Sequence, residues 1–196
     1  MRDGFLLVLS GPSGVGKGTV CEALMKHRKD IKYSISATTR KKRPLEKNGE
    51  NYYFMSQEEF KESIENKEFL EYAQVHGNYY GTPKRFVTES VDSGDIVILE
   101  IDVQGALQVK ENCPEDVYIF LLPPDLQELR NRIEKRSTED EDTINLRMNN
   151  AQTELTFIDK YDYAVINDDV DKTVGKIESI IEAEKLKVTS IQGVEL

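Results

Sequence analysis

Residues Phe5 to Thr19 read FLLVLSGPSGVGKGT. The continuous apolar run Phe5 to Leu9 is the pattern of a strand buried on both faces of a parallel sheet. It leads into a turn punctuated by Gly11, Gly14 and Gly16, and a helix is expected from about Lys17 to His27. Glycine reaches backbone conformations closed to other residues, so successive amide N–H groups can turn inward around phosphate oxygens. Lys17 would meet the β- and γ-phosphates as a point charge, assisted by the positive end of the helix. Strand, loop and helix in this order are the setting that the G-x-x-x-x-G-K-[ST] phosphate loop requires. One position departs from it: the hydroxyl that usually follows the lysine and sits on magnesium is replaced by Gly18.

The rest of the chain repeats the strand-then-helix rhythm. Val97 to Leu99, Val117 to Leu122 and Tyr163 to Ile166 are further buried-strand candidates. Helical stretches are expected over Val103–Asn112, Asp125–Lys135, Thr143–Lys160 and Val170–Lys187. Such alternation implies crossover units on a parallel sheet, hence an α/β fold of the P-loop nucleotide-binding type with helices flanking the sheet. Residues 34–93 break the rhythm with aromatic, alternating pieces around a short helix opened by the capping box Ser56-Gln57-Glu58-Glu59, which reads as a small mixed β/α insertion. The core is then 1–33 and 94–196, with a helical lid at about 124–150 that contains the acidic connection Ser137 to Asp142.

Composition excludes several classes. The chain has 196 residues, enough for one globular domain with excursions. Its net charge of −10 argues against a general nucleic-acid binder. The only apolar run near the start has five residues, too short for a signal-peptide core or a membrane span, so a soluble cytoplasmic protein without membrane partners is expected. Cys21 and Cys113 form no C-x-x-C pair and read as small buried residues. His27 and His76 have no sequence partners that suggest catalysis, and Val188 to Leu196 is expected to fray. An anionic ligand must find local basic clusters, of which there are two: Arg40-Lys41-Lys42-Arg43, and Arg130, Arg132, Lys135 and Arg136 followed by Arg147.

The G-K-G-T ending is similar to the loop of nucleoside monophosphate kinases, in which the hydroxyl comes one residue later, here Thr19, and the metal is held largely through water and substrate oxygens. Further motifs occur in order: Ser34-Ile35-Ser36-Ala37-Thr38-Thr39-Arg40 with Arg43, Gly49-Glu50-Asn51-Tyr52, Phe69-Leu70-Glu71-Tyr72-Ala73, Gly77-Asn78-Tyr79-Tyr80-Gly81-Thr82, Ile98 to Gly105, and Asn167-Asp168-Asp169. From Leu6 to about Asp169 the chain resembles the guanylate kinases. The resemblance implies transfer of the γ-phosphoryl of ATP to GMP, with dGMP as a second acceptor, and Mg2+ as the metal.

It also implies roles for individual positions. ATP would be held by Gly11, Pro12, Ser13, Gly14, Val15, Gly16, Lys17, Gly18 and Thr19, by Arg132 and Arg136, and by Asn167 and Asp168. GMP would be held by Ser36, Arg40, Arg43, Tyr52, Glu71, Tyr80 and Thr82 of the insertion and by Asp102 of the core. Lys17, Arg43, Arg136 and Arg147 would serve the phosphoryl transfer itself, and Glu100 would support magnesium through water. Many relatives carry Asp where Glu100 stands. The physics of guanine agrees with the assignment, since its N1 and N2 donors suit an acceptor-only carboxylate beside donor hydroxyls. Two other readings remain: a catalytically silent module of the same fold, against which Lys17, Arg136 and Arg147 speak, and a small kinase with another nucleotide or a phosphorylated ribose as acceptor.

Overall fold

Along the first strand Phe5, Leu7 and Leu9 face one way and Leu6 and Val8 the other, and all five are buried, in two separate hydrophobic clusters. A strand covered on both faces needs helices on both, and the chain supplies them. A computed structural model describes residues 4–75, 77–136 and 140–187, Arg136 without its side chain.

In chain order the elements are β1 (Phe5–Ser10), α1 (Lys17–His27), β2 (Ile31–Tyr33), β3 (Ala37–Thr38), β4 (Tyr53–Phe54), α2 (Gln57–Glu65), β5 (Phe69–Val75), β6 (Asn78–Pro83) and α3 (Lys84–Asp92). There follow β7 (Ile96–Glu100), α4 (Val103–Asn112), β8 (Val117–Leu122), α5 (Leu126–Arg136), α6 (Glu141–Leu155), a 3-10 turn (Ile158–Lys160), β9 (Tyr163–Ile166) and α7 (Val170–Lys185). The main sheet is parallel in the order β2-β7-β1-β8-β9, with Leu7 opposite Ile98 on one side and Leu9 opposite Ile119 on the other. Helices α1 and α7 cover the face of Leu7 and Leu9, packing Val20, Leu24, Val174, Ile177 and Ile181 against it. Val87 of α3 and Ala106 and Val109 of α4 cover the face of Leu6 and Val8.

The crossover from β2 to β7 contains a second, mixed sheet in the order β4-β3-β6-β5, in which β5 and β6 form an antiparallel hairpin. Its helix α2 starts as the capping box requires: the Ser56 hydroxyl accepts from the Glu59 N–H and the Glu59 carboxylate from the Ser56 N–H. Helices α5 and α6 make a third, small core from Leu129, Ile133, Met148 and Ala151.

The structure corrects four readings of the sequence. The expected helix Thr143–Lys160 ends at Leu155, because Thr156 turns its hydroxyl onto the Thr153 carbonyl (2.7 Å) and its N–H onto the same oxygen, tightening the last turn. Strand β2 was not anticipated, since three residues on a sheet edge carry no period. Helix α3 lacks a side-chain N-cap and so gives no start signal. Cys113 is half-buried, whereas Cys21 is buried as expected. His76, residues 137–139 and the C-terminal residues 188–196 lie outside the described residues. Among those described, no helix is long and apolar enough to cross a membrane.

Candidate active site

The loop after β1 needs its glycines for two reasons, conformation and space. Gly11, Gly14 and Gly16 have φ of 142°, 86° and 100°, a region L side chains rarely enter. A Cβ on Gly11 would lie 2.5 Å from the Leu121 carbonyl oxygen, and one on Gly14 2.7 Å from Ile133 Cγ1. The loop is thus pressed between β8 and α5. Gly11→Ala is expected to lower the thermal midpoint by roughly 6–12 °C, about 3 kcal/mol, because a backbone oxygen cannot step aside. Calorimetric unfolding of the variant measures it, and a shift under 2 °C would contradict the packing argument.

Lys17, the first residue of α1, folds back so that Nζ donates to the carbonyls of Gly11 (2.6 Å) and Pro12 (3.4 Å). Desolvation of the ammonium lowers its pKa, and the charges of Glu100, Glu154 and Asp102 oppose that shift. The loop is also clasped from outside. Arg132 of α5 donates to the carbonyls of Val15 (3.2 Å) and Asn167 (3.1 Å), with its Nε on Glu128 (2.8 Å). Asn167, buried just after β9, donates to the same Val15 carbonyl at 2.8 Å and accepts from the Thr173 hydroxyl. Arg147 of α6 donates to the Ser13 hydroxyl at 3.0 Å, and the Ser13 N–H to the Glu154 carboxylate at 3.2 Å. Asp168 is exposed and accepts from the Asp169 N–H.

Gly18 faces Glu100. The carboxylate oxygens of Glu100 lie 3.4 and 3.5 Å from where a Cβ on Gly18 would stand, so this longer acid reaches the ground that a side chain at position 18 would use. The Tyr33 hydroxyl donates to Glu100 at 3.1 Å, and burial together with that carboxylate raises the tyrosine's pKa. Among the described residues no three His, Cys, Asp or Glu side chains form a cage for a metal ion. One carboxylate beside a phosphate loop fits a hydrated magnesium held mainly by water and phosphate.

Across the cleft Glu71 of β5 is buried, and the Thr82 hydroxyl of β6 donates to it at 2.6 Å. Burial raises the Glu71 pKa to about 7, with the Asp102 charge adding to the rise and the Thr82 hydrogen bond opposing it. Its second oxygen lies over Gly105, where a Cβ would come within 2.6 Å of it. Asp102 caps α4 by accepting from the Gly105 N–H at 2.8 Å. In the insertion the Arg40 guanidinium sits 5.3 Å over the Tyr52 ring, which packs edge-on to Tyr80 of β6 at 6.1 Å. Glu46 holds Arg40 with two bonds of 2.7 and 3.0 Å and accepts from the Arg43 N–H at 2.8 Å. Ser36 is half-buried and the Arg43 side chain exposed.

The family model for guanylate kinase matches residues 4–184, nearly the whole chain. The chain belongs to the guanylate kinase family. It is 57% identical over 187 residues to the guanylate kinase of Caldanaerobacter subterraneus subsp. tengcongensis, covering 95% of this chain and 91% of that one. It is 55% identical to that of Latilactobacillus sakei, covering 96% of this chain and 93% of the other. The crystal structure of guanylate kinase from Anaplasma phagocytophilum superposes with a TM-score of 0.83 at 36% identity, over 97% of this chain and 91% of that one.

Within this chain the structure brings Lys17, Glu100 and Asp102 into one electrostatic group, Glu71 with Thr82 and Asp102 into a second, and Arg40, Tyr52 and Tyr80 into a third. Arg132, Arg147 and Asn167 reach the phosphate loop. The side chain of Arg136 lies outside the described residues. Sequence reasoning missed Tyr33, Glu46, Gly105 and Glu154. Glu46 alone left a signal, an acid just after a basic run. The other three depend on contacts 34 to 141 residues apart along the chain.

Proposed function

We propose that this site transfers the γ-phosphoryl of ATP to GMP, giving ADP and GDP, with each side chain in the role developed below. The observation that carries the reading is the position of Glu100. Its carboxylate oxygens lie 3.4 and 3.5 Å from where a Cβ on Gly18 of the phosphate loop would stand and accept from the Tyr33 hydroxyl at 3.1 Å, which supports a phosphate site with an acid beside it at the end of β7.

The nine residues from Gly11 to Thr19 cradle the ATP phosphates, Lys17 neutralises the oxygens between the β- and γ-phosphates, and Asn167 and Asp168 border the adenine. Arg132 and Arg147, with Arg136 by its place in the sequence, supply positive charge to the transferring group. GMP's phosphate takes Arg40, Arg43, Tyr52 and Tyr80. For that, Arg40 exchanges Glu46 for phosphate oxygens, which its planar fork fits equally well. Glu71, Ser36, Thr82 and Asp102 read guanine. Glu71 accepts from guanine N–H groups as a carboxylate, and an adenine would set a ring-nitrogen lone pair against it. The acceptor phosphate oxygen is already nucleophilic, so no base is needed and catalysis is positioning and charge stabilisation. Glu100 would hold a hydrated magnesium through water, and the ion would supply positive charge against that of the phosphates.

A coupled ADP-release assay with ATP, magnesium and in turn GMP, dGMP, AMP, CMP and UMP tests the reading. Strong turnover is expected with GMP, with dGMP next, and AMP lower by about 10⁴ in kcat/KM. Comparable turnover with AMP would overturn the guanine assignment.

A further inference from the structure

Glu154 has no part in the roles above, yet it touches the phosphate loop. It stands near the end of α6, seven residues after Arg147, about two helical turns along and on the same face. Both side chains close on one residue: Arg147 donates to the Ser13 hydroxyl, and Glu154 accepts from the Ser13 N–H. Ser13 directly follows Gly11 and Pro12, whose carbonyls hold the Lys17 ammonium, and the negative charge of Glu154 is felt by that ammonium. The carboxylate therefore meets a loop amide and lies in the field of the loop lysine, the two donor types that a nucleotide's terminal phosphate uses.

We propose that Glu154 is a further positioning residue of the donor site, whose carboxylate and the terminal phosphate of the nucleotide compete for the Ser13 N–H. The inference rests on the phosphate-loop reading above. A single N–H serves one strong anionic acceptor at a time, so each triphosphate that binds displaces Glu154. The apparent affinity is then the intrinsic one multiplied by the fraction of protein in which the amide is free, and a ninefold excess of the Glu154-bound form weakens binding about tenfold. Displacement also removes the contact that Glu154 of α6 makes with Ser13. The coupling is reciprocal, as linkage requires: whatever strengthens the bond between Glu154 and the Ser13 N–H opposes the triphosphate.

Calorimetric titration of a non-hydrolysable ATP analogue, of adenosine and of GMP into the wild-type protein, Glu154→Gln and Glu154→Ala tests this. Both variants are expected to bind the triphosphate about 3–10-fold more tightly, with adenosine and GMP unchanged within twofold. Equal triphosphate affinity in all three proteins, or weaker binding in the variants, would overturn the proposal. A gain of the same size for GMP would overturn it too, since it would mean only a weaker negative field over the whole cleft. Failure of the wild-type protein to bind the triphosphate at all would remove the phosphate-loop reading and this inference with it. Thermal midpoints within a few degrees of wild type show that the variants are folded, and Glu154→Gln, nearly the same shape, is the one on which the comparison rests.

Discussion

Lys17→Ala is expected to lower kcat by about 10³ while the protein stays folded. The lysine has two duties that alanine cannot perform. In the phosphate loop it places a positive charge where negative charge develops on the transferring group, and loss of one such preorganised donor typically costs about 10²–10³ in rate. It also balances the carboxylates of Glu100, Glu154 and Asp102, whose charges act on its ammonium. With alanine there, three negative charges face the triphosphate without their counterion, which adds a separate loss of ATP binding. Steady-state rates at saturating ATP and GMP measure the first effect and the KM for ATP the second. Circular dichroism shows whether the fold persists, as it should: among the described residues Nζ bonds only the Gly11 and Pro12 carbonyls. A fall of less than tenfold would remove Lys17 from the chemistry.

Glu71→Gln is expected to reduce kcat/KM for GMP by about 10²–10³ and to make the protein more stable at pH 8. A glutamine presents one acceptor and one donor where guanine needs acceptors only, so the buried site would hold a donor facing a donor. ATP binding should be unchanged within twofold, because Glu71 belongs to the hairpin β5–β6 and not to the phosphate loop; equal losses for both nucleotides would refute its role as guanine reader. The stability gain follows from linkage. The folded-state pKa of about 7 lies above the ordinary 4.5, so ionisation favours the unfolded chain. Stability from this group is therefore full below about pH 4.5 and declines as the pH rises through 7. A raised pKa of this size corresponds to roughly 3 kcal/mol at pH 8, of which the glutamine recovers only part because its amide needs a partner, about 1–2 kcal/mol or a few degrees in thermal midpoint. The same pKa sets the pH response of the wild-type enzyme. Guanine requires the carboxylate, so the KM for GMP should rise about tenfold for each unit the pH falls below 7, and the KM for ATP should not.

The resting pair of Arg40 and Glu46 follows the same logic. Three polar contacts on one half-buried carboxylate hold Arg40 beside Tyr52 and keep Glu46 ionised, its pKa lowered first by the Arg40 hydrogen bonds. An arginine so held is already oriented when phosphate arrives. The insertion thus sets the orientation of Arg40 on folding, and binding costs the exchange of Glu46 for phosphate oxygens.

Much of this was legible in the residues themselves. The run FLLVL is buried on both faces because it is apolar at every position, not at alternate ones, and the glycines of the loop stand where φ is positive. The expected boundaries of α1 and α4 agree with the structure to the residue, and the capping box of α2 forms as written. These features are local: period, cap and turn chemistry act within a few residues, so sequence order is enough to read them. The site motifs were legible in another way, as a family resemblance carried by their order along the chain.

Tertiary structure alone decided the rest. Whether Glu100 stands beside the phosphate loop depends on β7 pairing with β1, which brings it to Gly18, 82 positions earlier, and whether Glu71 is a carboxylate or an acid depends on its burial beside Asp102 and over Gly105. Glu154 reads in sequence as one more acid on an amphipathic helix, and only the packing of α6 brings it to Ser13. The physical reason is common to all three. Charge, desolvation and close approach depend on distance in space, and the crossovers of a parallel sheet bring together residues that the chain keeps far apart.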